Sequence, residues 1–120
     1  MSAVKAVRGA IQVAENSPRE IHRASRRLVQ ELMKSNGLEE TRLISIIFSM
    51  TRDLNKANPA AGLRAGGFAG VPLFCVQEAE VEGGMERILR VLLTFAGSQE
   101  QMPRSVYLDG AEALRPDLRS

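Results

Sequence analysis

The segment Leu43–Met50 constrains the fold most strongly, because its sequence LISIIFSM is apolar on both of its faces. Polar segments bound it on each side. A short apolar run bounded in this way is typical of a strand that is buried on both sides. The segment therefore predicts a sheet that needs a covering layer on each face.

Four further segments have the β-branched and aromatic content or the alternation of strands, namely Val4–Val13, Val71–Glu78, Arg87–Phe95 and Val106–Leu108. Because apolar runs of this length are ambiguous, Arg87–Phe95 is also compatible with a helix. The glycine-rich segment 66–70 predicts a turn. It lacks the strand and helix that flank a nucleotide-binding loop.

A long helix is predicted after the first strand. Ser17 is a suitable N-cap, Pro18 fits the first helical position, and Glu20 stands at the capping-box position. Apolar residues then recur at helical spacing at Ile21, Ala24, Leu28 and Leu32. Asn36-Gly37 predicts the helix end. His22 has charged neighbours on this helix, and we expect it to be a solvated surface residue.

A second, shorter helix is predicted from Asn58-Pro59 to about Arg64, again with a cap and a first-position proline. The fold class is therefore α+β or mixed α/β, with about five strands and two or three helices in one domain over residues 1–120. These helices can cover only one face of the sheet. We expect the missing cover to come from another subunit.

Composition narrows the functional classes. At 120 residues, 44% hydrophobic and 25% charged, the chain matches one ordinary globular domain. A formal net charge of +2 predicts neither a nucleic-acid nor a membrane partner. The N-terminal sequence shows no signal peptide, which favours a cytoplasmic location. The single cysteine, Cys75, permits neither an internal disulfide nor a Cys-rich zinc site.

Charged residues within the predicted strands are the candidate functional residues. Arg90 stands in an apolar run, where an unpaired charge would cost several kcal/mol, so it needs either a structural carboxylate or a ligand. Arg8 shares a strand face with small residues, and Glu78 ends a strand on the face opposite Cys75. The sequence contains no Ser-His-Asp set, metal-ligand cluster or phosphate loop. Any chemistry here must therefore depend on positioning and electrostatics.

Five motifs together resemble the monofunctional chorismate mutases of the trimeric pseudo-α/β-barrel class. They are Val7-Arg8-Gly9-Ala10, Pro72-x-x-Cys75-x-Gln77-Glu78, Gly83-Gly84 followed by Arg90-Val91, Val106-Tyr107-Leu108, and Leu114-Arg115-Pro116-Asp117. Each motif is weak alone, but the five occur in the family order over nearly the whole chain. The resemblance implies the rearrangement of chorismate, a dicarboxylate, to prephenate in aromatic amino-acid biosynthesis, without cofactor or metal. It also implies a homotrimer with active sites between subunits.

The resemblance assigns catalytic roles to three residues. Arg90 would stabilise the ether oxygen and hold the side-chain carboxylate, Glu78 would accept a hydrogen bond from the ring hydroxyl, and Cys75 would lie near the cationic ring. The implied substrate-binding residues are Arg8, Phe74, Tyr107, Arg64, Leu114 and Arg115. The last two would belong to a flexible C-terminal segment, from about residue 109, that closes over the ligand.

Two alternatives from other classes stay open on the sequence. One is a non-catalytic trimeric module that binds a small anion or a protein partner. The other is an imine-deaminase-like enzyme of similar architecture, although the arginine-containing signature of that family is not found in the chain.

Overall fold

The computed structural model describes residues 2–115. Over this range the chain forms five strands, two α-helices and two short 3-10 helices, at Glu40–Arg42 and Ala111–Leu114. The strands are β1 (Ser2–Gln12), β2 (Leu43–Met50), β3 (Leu73–Gln77), β4 (Ile88–Ser98) and β5 (Val106–Leu108), and the helices are α1 (Pro18–Ser35) and α2 (Pro59–Ala65). This confirms the predicted fold class, a small α+β domain, and Arg87–Phe95 is a strand rather than a helix.

The strands form a single mixed sheet in the order β3-β2-β4-β1-β5. The central strand β4 is antiparallel to both β1 and β2, whereas the outer pairs β2–β3 and β1–β5 are parallel. β4 extends beyond Phe95 to Ser98 because Ser2 of β1 pairs with Ser98. The two edge strands, β3 and β5, are also the shortest strands.

Both helices begin at the predicted caps. The Ser17 hydroxyl accepts a hydrogen bond from the Glu20 amide at 3.3 Å, and the Asn58 side chain accepts one from the Ala60 amide at 2.9 Å. Each cap satisfies an amide that has no partner within its helix. No helix within residues 2–115 combines the length and apolarity needed to cross a membrane.

The two helices pack together on one face of the sheet, where the main core lies. The opposite face, called the open face below, carries side chains from all five strands: Arg8, Ala10, Ile47, Ser49, Phe74, Val76, Arg90, Leu92 and Tyr107. Ile47 is 37% exposed and Phe74 is 63% exposed. One chain therefore covers only one face of β2, although its sequence is apolar on both faces.

The structure contradicts the expectation for His22. This residue packs beneath α2, and a Cβ added at Gly62 would lie 2.8 Å from the His22 Cβ. Its Nε2 atom is buried and has no hydrogen-bond partner among the described residues. The prediction was wrong because charged neighbours along α1 do not reveal that a side-chain-free position of α2 crosses the helix at this point.

Candidate active site

Strand pairing places Arg90 in a row of side chains that crosses the whole open face. Ser49 of β2 and Ala10 of β1 pair with Arg90, while Val76 pairs with Ser49 and Tyr107 pairs with Ala10. Residues that pair directly lie on the same face of a sheet, about 4.5–5.5 Å apart. Because Ala10 is small and fully buried, it leaves the space above it open between the arginine and the tyrosine.

A second row runs parallel to the first and ends at Arg8. Leu92 pairs with both Arg8 and Ile47, and Ile47 pairs with Phe74. Apart from Arg8, the row is apolar, and each of its apolar side chains is more than a third exposed. Arg8 therefore stands at the edge of an apolar surface, two positions along β1 from the residue that separates Arg90 and Tyr107.

Glu78 forms an ion pair with Arg90. The Nε atom of Arg90 donates to Oε1 of Glu78 at 2.5 Å, and the Ser49 hydroxyl donates to the same oxygen at 3.3 Å. The Glu78 amide donates to the Met50 carbonyl, which continues the β3 ladder one residue past Gln77. The carboxylate thus holds the guanidinium through Nε, and the side chains of the pair stay 41% and 22% exposed.

Two cavities meet at Arg90. One, of about 240 Å³, is called the Tyr107 cavity and is lined by Arg8, Gly9, Ile47, Ser49, Arg90, Val91, Leu92, Tyr107 and Arg115. The other, of about 810 Å³, is called the Glu80 cavity and is lined by residues 51–53, residues 78–81, residues 84–86, Arg90 and Leu114. Three arginines and a phenol beside apolar walls suit a small organic anion.

Contacts with α1 fix β5, and therefore Tyr107. Asn36, at the end of α1, accepts from the Arg104 amide at 2.8 Å and donates to the Arg104 carbonyl at 3.0 Å. Asp109, just after β5, pairs with Arg27 of α1 and raises the pKa of that guanidinium. The short strand is thereby held at both of its ends.

The structure separates three predicted site residues from this group. Cys75 pairs with the buried Phe48 and faces the helices, so it lies on the opposite side of the sheet from Arg90. It lines a cavity of about 490 Å³, called the Cys75 cavity, and burial raises the pKa of its thiol. Phe74 is exposed on the open face, and Arg64 is exposed in the last turn of α2. Of the nine predicted site residues, the Tyr107 and Glu80 cavities bring together the other six, Arg8, Glu78, Arg90, Tyr107, Leu114 and Arg115.

Sequence reasoning missed Ser49. The available signal was a hydroxyl in the otherwise apolar strand Leu43–Met50. Its role became visible only when strand pairing placed it beside Arg90. Among residues 2–115, no group of three or more His, Cys, Asp or Glu side chains is arranged to hold a metal ion.

Comparison with known proteins gives a consistent result. The family model for chorismate mutase type I matches residues 4–118. A chorismate mutase AroH of Thermus thermophilus is 40% identical over 119 residues, which is 98% of each chain. The chorismate mutase AroH of Bacillus subtilis (strain 168) is 32% identical over 118 residues, 96% of this chain and 92% of that protein. A solved chorismate mutase from Clostridium thermocellum superposes with a TM-score of 0.85 at 37% identity, covering 91% of this chain and 98% of its own.

Proposed function

The chain belongs to the chorismate mutase type I family, and we propose that its active site is the Tyr107 cavity together with the Arg90–Glu78 pair. As a chorismate mutase it is an isomerase that acts in aromatic amino-acid biosynthesis. One observation carries the proposal for the site. A row across the sheet places Arg90, held by Glu78, one small residue away from Tyr107, at a cavity that Arg8 also lines.

The reaction is an intramolecular rearrangement in which a carbon–oxygen ether bond breaks while a carbon–carbon bond forms. No atom, proton or electron enters or leaves the substrate. As the ether bond lengthens, negative charge grows on its oxygen and positive charge grows on the ring. A preorganised cation beside that oxygen lowers the barrier, because it binds the transition state more tightly than the ground state.

We assign the cationic role to Arg90. Because Glu78 already occupies Nε, the two Nη groups are left for substrate oxygens. The guanidinium is planar and rigid, so one group can hold the ether oxygen and a carboxylate together. In this assignment, Arg8, Tyr107 and Arg115 bind the side-chain carboxylate, and Glu78 accepts a hydrogen bond from the ring hydroxyl.

The remaining site residues belong to the rim of the proposed site. Cys75 lies near the cationic ring, backbone close to Phe74 lines the pocket, and Arg64 attracts the dianion at the entrance. Leu114 and Arg115 belong to the C-terminal segment, from about residue 109, which closes over bound substrate. Residues 116–120, which contain the end of the fifth motif, lie outside the described part of the chain.

We propose that three chains assemble with the active sites between them. Support comes from the open face, where Ile47, Phe74, Val76 and Leu92 form an exposed apolar surface that a neighbouring chain can cover. Further support comes from Cys75, which can join Arg90 in one site only if the two come from different chains. Light scattering at micromolar protein is expected to give the trimer mass, and a monomer mass would contradict the assembly.

We also propose that the enzyme acts in the cytoplasm, where a soluble biosynthetic intermediate such as chorismate is available to it. Cell fractionation of the source organism, followed by the mutase assay, is expected to find the activity with cytoplasmic marker enzymes. Activity recovered in another fraction would overturn this location.

The deciding experiment measures the loss of chorismate absorbance by the purified protein and by two Arg90 variants. Arg90→Lys keeps the charge but replaces the fork with one ammonium. We expect it to stay folded and to lose at least about two orders of magnitude in kcat, the scale of losing one preorganised donor. Arg90→Ala should lose more. Near-normal kcat in a folded Arg90→Lys variant would make Arg90 a structural partner of Glu78 and refute the assignment.

A further inference from the structure

The Cys75 cavity lies on the helix side of edge strand β3, between that strand and the loop of residues 55–58. Its polar lining comes from Asn55, Lys56, Asn58 and Gln77. Of the residues that line it, all within the described part of the chain, only Lys56 carries a charge at neutral pH. The cavity is thus a shallow polar pocket with one cation at its mouth.

The loop that carries Lys56 is held at both of its ends. The Asn16 side chain accepts from the amides of Asn55 and Lys56 at 3.1 and 3.3 Å, and it donates to the Asn55 side chain at 2.9 Å. At the other end, Asn58 caps α2. The backbone of Lys56 therefore has a defined position beside the cavity, rather than that of a free loop tip.

The Lys56 ammonium itself is uncommitted. Within residues 2–115 its Nζ atom has no hydrogen bond or ion pair, whereas Lys5 donates to the Gln99 carbonyl at 3.1 Å. Likewise, Arg52, at the wall of the Glu80 cavity, is paired with Glu80 at 3.2 Å. A cation on a fixed backbone with no partner of its own is suited to bind an anion that arrives from outside the chain.

We infer that Lys56 is a substrate-binding residue that pairs with the second carboxylate of chorismate. The inference rests on the proposed site between subunits, because the Cys75 cavity and the Tyr107 cavity lie on opposite sides of one sheet. Arg8, Arg90 and Tyr107 account for one carboxylate of the dianion. Lys56 of the neighbouring chain then neutralises the other carboxylate, which the Tyr107 cavity leaves without a cation of its own.

Steady-state kinetics on Lys56→Gln test this role, with Lys56→Arg as the rescue and Lys34→Gln as the matched control. Lys34 is an exposed lysine in the last turn of α1 that lines none of the three cavities. We expect Lys56→Gln to raise KM roughly three- to tenfold with kcat nearly unchanged, because a partly exposed ion pair contributes similar binding to ground and transition states. Lys56→Arg should restore KM, and added salt should shrink the difference.

Equal KM values for Lys56→Gln and Lys34→Gln would overturn the inference. That failure is distinguishable from failure of the proposed active site, which would appear as near-normal kcat in Arg90→Lys. The placement across subunits has its own test, co-expression of Lys56→Glu chains with Arg90→Ala chains. If each site takes one group from each of two chains, about one site in four regains both native groups. Activity at low chorismate should then exceed the mean of the two parents, and no gain would refute a contribution from the neighbouring chain.

Discussion

Substituting Gly9 by alanine tests whether close packing beneath β1 positions the site. A Cβ at Gly9 would lie 2.9 Å from the Val106 carbonyl oxygen, 3.0 Å from Cδ1 of Leu32 and 3.2 Å from Cδ1 of Leu28. The leucine methyl groups can move aside by a few tenths of an ångström. The carbonyl belongs to the backbone of β5, which pairs with β1 at this residue, so it can move only if the strand moves.

The expected magnitude follows from these contacts. Overpacking of this kind costs about 1–3 kcal/mol, and the lower entropy of the unfolded alanine chain offsets about 0.4–1 kcal/mol. We therefore expect Gly9→Ala to lower the free energy of unfolding by about 1–2 kcal/mol, or Tm by several degrees. Because β5 carries Tyr107, we also expect kcat/KM to fall by about an order of magnitude, the kind of loss that small displacements of binding groups produce.

Urea denaturation and chorismate kinetics measure both effects, at equal chain concentration because assembly also contributes to stability. Gly70→Ala is the matched control, since a Cβ there meets nothing within 4 Å and the φ angle of Gly70 is not in the left-handed region. This control should keep native stability and activity. If Gly9→Ala were as stable and active as Gly70→Ala, the close approach would not constrain β5, and the packing argument would be wrong.

Three further predictions concern the rim of the site, the anchor of β5 and the thiol. Arg64→Ala and Arg115→Ala should each raise KM more than they lower kcat, most strongly at low salt, and a large kcat loss at constant KM would contradict a rim location. Asn36→Ala should lower the free energy of unfolding by about 1–3 kcal/mol, because the Arg104 amide and carbonyl lose a partner, and urea denaturation measures this. Burial raises the pKa of the Cys75 thiol, so the neutral thiol stabilises the fold at neutral pH, and this contribution is lost as pH rises through the raised pKa. Iodoacetamide at pH 8 should accordingly modify native Cys75 more slowly than the urea-unfolded chain, and equal rates would refute the burial argument.

The local elements follow from the sequence alone. Ser17 with Pro18, and Asn58 with Pro59, start the two helices as predicted, because a cap satisfies amides within a few residues of itself. The strand Leu43–Met50 has the predicted bounds. The five motifs also pointed to the family that the comparisons show. All of these signals are local or depend on the order of residues, so they need no knowledge of strand pairing.

Only the tertiary structure decided which side chains meet. Strand register pairs Arg90 with Ser49 and brings Glu78 to both, whereas Cys75, three residues earlier than Glu78, faces the other side of the sheet. His22 looked like a surface residue until α2 packed over it. Register and helix crossing depend on contacts between segments far apart in the chain. A one-residue shift in pairing would turn every side chain of a strand to its opposite face, so the composition of a site is fixed only when the strands pair.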